Sequence, residues 1–362
     1  MLTAKPRFPI KEILLCGILP SPLKKLVYRL RGYRIGRGVS LSFGSVVVGE
    51  DVQIGDYTSI GFFTVIRGTR IHLGAHVQIG TVAFLDTPHL ELGDGTRINE
   101  QVFVGGLQFP DSKLIVGRNC QIMQMTFINP TRTIRIGDDT GIGGDCLLFG
   151  HSSWLSKFEG YPVEFDSIEI GSNVSLAWRV FVLPGSKIGD GAVIGANSLV
   201  RGEIPPRCLA MGFPARVVAR QPDFPREVSA VEKATMLREI VAEMIEYFRA
   251  SGFLCRQEGL VYEVQEASRG WFPKRRKVWR FLAADAELLD SALDQVDLVL
   301  SLRRISEEIR TNCVRRGQMW IDLEAKERSD GGNDLGEEVA QYFKRYGVRL
   351  FRVWGIADLI YE

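Results

Sequence analysis

Four histidines occur in the chain, His72, His76, His89 and His151, and His151 has the most suggestive setting. It sits in Phe149-Gly150-His151-Ser152-Ser153, at the head of a stretch, SSWLSKFEGYPVEFD, that breaks the pattern on either side of it. An imidazole whose pKa lies near neutrality can take a proton from a hydroxyl or amine as that group attacks an electrophile. A lone histidine is more often structural, so its context must decide. His72 and His76 lie four apart in a register of six and so face different ways. With His89 they do not supply the three converging ligands of a zinc site; exposed side chains and no metal are the expectation. The six cysteines, at 16, 120, 146, 208, 255 and 313, contain no C-x-x-C pair. They read as reduced, mostly buried thiols of a cytoplasmic protein.

The elements that must hold His151 announce themselves as a repeat. Val48-Gly49, Ile54-Gly55 and Ile60-Gly61 form one six-residue run, and Leu73-Gly74 and Ile79-Gly80 form another. Ile136-Gly137, Ile142-Gly143, Ile188-Gly189 and Ile194-Gly195 continue it. Four places after the aliphatic residue comes a small or β-branched one, as at Val52, Thr58, Thr64, Thr140, Val174, Ala192 and Ser198. A helix would place apolar residues at steps of three and four, and a strand at every second residue. A period of six fits neither. It fits short strands joined by corners, with the aliphatic side chains stacked in an inner column and glycine accepting corner conformations that a side chain resists. Three units close a coil of about 18 residues, giving roughly nine coils. A β-sandwich would break this register with irregular turns.

With 362 residues, 45% hydrophobic and 24% charged, the chain has the balance of a folded protein of two domains. Its net charge of +2 gives no reason to invoke nucleic acid. Residues 1–34 are a lead-in, with a short helix over 22–31. Its apolar patch from Ile13 to Leu19 is too short to span a bilayer. A peripheral membrane contact through Lys24, Lys25, Arg29 and Arg31 is the most it supports. The repeats fill 35–218, with small irregularities at 107–113 and 130–133 and a large one between His151 and Ser167. Insertions in a solenoid loop out on one face, often the binding face. Residues 219–228 read as a linker, and 229–362 as a small α+β domain. There Ser229 and Glu232 form a capping box, the apolar face from Leu237 to Phe248 follows, and Gly252 ends the helix. Strands are expected near 259–265, 277–283, 296–302, 318–324 and 348–354, and helices near 303–315 and 334–346. The basic stretch Lys274–Lys277 reads as a solvated turn.

The repeat region resembles the left-handed parallel β-helix of the hexapeptide-repeat acyltransferases. The run VGRNCQIMQMTFINPTRTIRIGDDTGIGGDCLLFGH tracks the maltose, galactoside and xenobiotic acetyltransferases up to their histidine. Handedness comes from that resemblance, because ordinary parallel crossovers are right-handed. The resemblance implies an O- or N-acyltransferase that uses acetyl-CoA on a sugar, such as a nucleotide-linked amino sugar or a surface-polysaccharide unit. It implies His151 as general base, residues 152–167 with Trp154 in the acceptor pocket, and a homotrimer with sites between subunits. The segment GSKIGDGAVIGANSLVRGEIPPRCLAMGFPARVV is similar to the family's CoA-binding coils, which end in G-x-P-A-K/R. By that likeness Ala177, Gly195, Ala196, Asn197 and Ser198 line the pantetheine arm, and Arg216 meets the CoA phosphates. The chain departs from the family at Ser175-Leu176-Ala177, where W-I-G is usual and forms the acceptor-site wall and the local oxyanion donor; Trp178, one place beyond, is the substrate-site residue the resemblance leaves there. Met123 replaces an asparagine that positions the acceptor in the sugar acetyltransferases, so the acceptor is not a simple maltose-like sugar. A rival of another class is a non-catalytic scaffold that presents the C-terminal domain in a trimeric array.

Overall fold

A computed structural model describes residues 9–266, 277–285, 288, 293–330 and 333–353. The chain divides into two compact units, Met1–Arg226 and Glu227–Glu362. The first is a parallel β-helix with three faces, of nine, ten and eight strands. On the first face Ile54 pairs with Leu73 and Leu73 with Leu92, nineteen residues apart. Ile170 and Ile188 are eighteen apart. The early coils are therefore one residue longer than three strict hexads. The columns stay in register because each aliphatic residue still meets its counterpart in the next coil. Ile71, Leu90, Leu114, Ile134 and Ile168 make one such column, all buried.

The repeat glycines serve a different purpose from the one the sequence suggests. Gly55 does not occupy the left-handed region; a Cβ there would lie 2.5 Å from the backbone carbon of Gly74 in the next coil. Close approach between coils requires glycine, not an unusual turn. Glycines outside the Ile-Gly pairs, such as Gly38 and Gly95, take some left-handed corners, and many others are taken by side-chain-bearing residues, among them Tyr57 (φ 55°), His76 (φ 55°) and Asn197 (φ 57°). Each is held by its N–H, which donates to a carbonyl one coil back: Tyr57 to Arg37 at 2.7 Å and His76 to Asp56 at 2.8 Å. The buried threonines also have a purpose. Thr58 Oγ1 donates to the Gly74 carbonyl and Thr64 Oγ1 to the Gly80 carbonyl, each at 2.7 Å. A buried hydroxyl would otherwise cost about 1–3 kcal/mol.

The helix Ser21–Leu30 closes the first coil. It buries Lys24 completely, so Lys24 is not available to any surface. The other end closes with a hairpin, Cys208–Gly212 antiparallel to Ala215–Arg220, so residues 219 and 220 belong to a strand rather than to a linker.

Among its described residues the second unit holds a seven-stranded mixed sheet whose neighbours follow chain order from Phe253–Glu258 to Phe351–Val353. Strands Phe253–Glu258 and Glu327–Ser329 were not legible as strands in the sequence. The helix Ala230–Ala250 carries the capping box that its S-x-x-E spacing predicts. It buries Leu237, Val241, Met244 and Phe248 against one sheet face that includes Leu298, Leu300, Met319 and Ile321. The opposite face packs Leu282, Val299 and Trp320 against Ile305 and Cys313. Apart from Lys277, the basic stretch 274–277 lies outside the described residues, as does the end of the strand expected at 348–354. Among the described residues no helix is long and apolar enough to cross a membrane.

Candidate active site

His151 begins a two-residue strand, His151–Ser152, that leaves the solenoid and pairs antiparallel with Glu164–Phe165. The imidazole is half-buried and stacks on the Phe165 ring (6.0 Å, 16°), with Phe149 at 6.1 Å. Removal from water disfavours the imidazolium and pulls the His151 pKa below its ordinary value.

Its tautomer follows from its partner. Thr131 Oγ1 lies 2.7 Å from Asn129 Oδ1 and 3.2 Å from His151 Nδ1. A carboxamide oxygen can only accept, so the single hydroxyl proton of Thr131 goes to Asn129. Nδ1 must then carry the proton it shares with Thr131, and Nε2 keeps its lone pair. Both partners are buried, which leaves the relay no solvent alternative.

The three breaks in the repeat meet here. Thr131 comes from the irregularity at 130–133, one coil before His151: Asn129 pairs with Phe149. The irregularity at 107–113 supplies Phe109, whose ring is 5.8 Å from Phe165, and Asp111, whose carboxylate binds Arg132 at 2.6 Å. The Arg132 guanidinium lies over the Phe109 ring at 4.6 Å. Ser112 Oγ donates to the Thr131 carbonyl at 2.8 Å. Sequence reasoning missed Asn129, Thr131 and Phe109. The available signal was that both small breaks fall at the same corner as His151, in the coils just before it. Beyond the hairpin the loop presents Trp154 and Phe158 fully exposed. An aromatic column, Phe84, Phe103, Phe127, Phe149 and Phe181, climbs the third face beside His151 with ring spacings of 5.0–5.5 Å.

The remaining residues singled out in the sequence gather at another corner. Met123, Ala177 and Gly195 follow the paired residues Ile122, Leu176 and Ile194 of the second face, and so stack in one column. The Ala177 N–H donates to the Ile194 carbonyl at 2.9 Å, so it is not a free oxyanion donor. Trp178 is half-exposed, and its ring covers Gly144, where a Cβ would lie 2.6 Å from it. Ala196 and Asn197 are exposed, with the Asn197 N–H donating to the Trp178 carbonyl. Ser198 is buried and its Oγ accepts from the Gly212 N–H at 3.0 Å. Arg216 is exposed on the closing hairpin; among the described residues its guanidinium reaches the Ala215 carbonyl, at 3.3 Å, and no carboxylate. A strand of the third face separates this corner from His151.

His72, His76 and His89 are half-buried rather than exposed. His72 Nε2 lies 2.8 Å from Asp51 and His76 stacks on Tyr57, so they do not converge.

The corner histidine stands on a β-helix of hexad repeats, and relatives of known name can be set beside it. The chain is similar to Escherichia coli WbbJ, named as an O-acetyl transferase of lipopolysaccharide biosynthesis, with 34% identity over 127 residues, 32% of this chain and 63% of WbbJ. It is also similar to the E. coli galactoside O-acetyltransferase, with 37% identity over 112 residues, 28% of this chain and 54% of that protein. The chain thus spans less than two thirds of the length of these relatives. A solved galactoside acetyltransferase in complex with coenzyme A aligns at 25% identity, TM-score 0.24, over 39% of this chain and 64% of its own. No family model matches the chain.

Proposed function

We propose that the chain is an acetyl-CoA-dependent O- or N-acyltransferase with a sugar or glycan acceptor, built on a left-handed β-helix and working in the cytoplasm. The observation that carries the reading is the Asn129–Thr131–His151 relay, which leaves Nε2 unprotonated on an imidazole kept neutral by burial. Nε2 takes the proton of the acceptor hydroxyl or amine as that atom attacks the thioester carbonyl. The C–S bond breaks from the tetrahedral oxyanion, and the imidazolium returns its proton to the departing thiolate. Likeness to proteins named as acetyltransferases supports the donor.

The donor corner fits a long, phosphate-bearing cosubstrate. Exposed Ala196 and Asn197 leave the corner open beside Trp178, and Arg216 offers a guanidinium that pairs with no carboxylate among the described residues. The family resemblance supports a homotrimer with sites between subunits, in which a second copy brings its donor corner to His151. The domain division is 35–218 for the β-helix and 229–362 for a C-terminal part that recruits the acceptor. The test is thiol release from acetyl-CoA with a panel of amino sugars and polysaccharide fragments. His151→Ala should lower transfer by about 10²–10⁴-fold while leaving CoA binding intact. Transfer within threefold of the parent would remove His151 from the mechanism.

A further inference from the structure

The helix Ser21–Leu30 is inside out. Lys24, Val27 and Tyr28 face the solenoid, whereas Leu23, Leu26 and Leu30, at helical spacing, face water, Leu30 being 80% exposed. The inward face is polar for a physical reason. The first coil has no coil before it, and the helix serves its open backbone groups with side chains. Lys24 Nζ donates to the carbonyls of Ser42 and Ser45 at 2.6 and 2.9 Å. Tyr28 Oη accepts from the Val47 N–H, and Ser21 Oγ accepts from the Leu41 N–H. With its polar side chains spent inward, the helix turns its leucines outward. The preceding segment does the same: Ile10, Leu14, Leu15 and Ile18 are all more than half exposed.

Such an apolar face needs an occupant, and the charge around it points to one. Lys11, Arg29 and Arg31 are exposed about it and Lys25 is half-buried, against a single acid, Glu12, in the described residues up to 38. Among the described residues Lys25 and Arg29 donate to the carbonyls of Val39 and Ile35 and pair with no carboxylate, so their charges are not cancelled, while Arg34 and Arg37 are paired with Asp51 and Asp56. A second copy of this face would bring like charges together. An anionic lipid surface takes both features at once: leucines enter the acyl boundary and the cations meet the headgroups. We propose that the N-terminal helical cap is a docking surface for anionic bilayers. The proposal does not rest on the acyltransferase reading.

The test is sedimentation of the full chain with vesicles of phosphatidylcholine alone or with phosphatidylglycerol added. Binding is expected with the anionic vesicles only, and added salt should weaken it. Replacing Leu23, Leu26 and Leu30 together by Glu should lower the partition at least about tenfold, with the circular dichroism and melting curve unchanged because all three are exposed. Arg29→Gln and Arg31→Gln should each lower it about fivefold. No binding to the anionic vesicles would overturn the proposal. So would a concentration-dependent oligomer dispersed by the Leu→Glu variant, which makes the occupant a second copy. Vesicle binding gained only after deletion of residues 1–8 would also overturn it, since that segment would then be the occupant.

Discussion

Thr131→Val removes one hydroxyl from a buried site while keeping its volume, and so isolates the relay behind His151. Two effects are expected, of different kinds. Asn129 Oδ1 loses its donor inside the protein, which costs about 1–3 kcal/mol of stability. His151 Nδ1 loses its acceptor, and with it the bias that leaves Nε2 unprotonated. A neutral hydrogen bond contributes about 0.5–1.5 kcal/mol, so the turnover of the folded variant should fall about 2–13-fold. That is far less than the loss on removing the imidazole itself. Thr131→Ser keeps the hydroxyl and should restore the rate even if it packs less well. In the His151→Ala background Thr131→Val should add nothing, because the relay then has no end to act on. Nitrogen shifts of the His151 ring give a readout independent of any acceptor: the parent should show Nδ1 protonated, and Thr131→Val a mixture. Nε2 protonated in the parent, or an equal rate loss from Thr131→Val with and without His151, would refute the reasoning.

The other predictions concern the titration, the donor corner and the division of the chain. Burial holds the His151 pKa below the ordinary histidine value, and the base works only when neutral, so the acid limb of the rate profile should fall below about pH 6.5; a limb above that pH would mean that a charge, not burial, dominates. Arg216→Ala should weaken CoA by a lost charge-assisted bond of about 1.5–3 kcal/mol yet leave dephospho-CoA unchanged; equal weakening, measured by calorimetry, would move Arg216 away from the 3′-phosphate. A chain ending at Arg226 should fold and bind CoA but lose transfer to its natural acceptor, because the β-helix unit has a buried core of its own among the described residues; aggregation of the fragment would show that the two parts need each other.

The solenoid was legible because its signal is periodic. A column of Ile and Leu at steps of six can be explained by few other folds, and each residue in it reports on the next coil. What the glycines do was not legible, since a residue needed for close approach and one needed for a left-handed turn look the same in a sequence. Only the register shows that Gly55 faces the backbone of Gly74, while Tyr57 takes the left-handed corner. His151 could be read from its place before a long break. Thr131 and Asn129 could not be read directly, because their relation to it is a coil-to-coil one, twenty residues away, in a region where coil length varies. In the second unit the amphipathic helix and the central strands carried their own periodicity. The short strand Glu327–Ser329 is made by its neighbours rather than by its composition.

The thirty-four-residue step from Ile136 to Ile170 has a further consequence. These two residues pair as adjacent rungs despite the loop between them, so the register of the stack is set on either side of the excursion and not by its length. The entropy of closing a loop grows only slowly with its size, and little in the stack would oppose a longer, shorter or wholly different segment there. Residues 153–163 are thus a cassette: their exchange would remake the surface beside His151 while the corner bearing Ala196 and Arg216 stays untouched. Variation in a lineage of such proteins can then accumulate at one edge of the coil and be excluded from the other, so that one partner is renegotiated while the other is inherited.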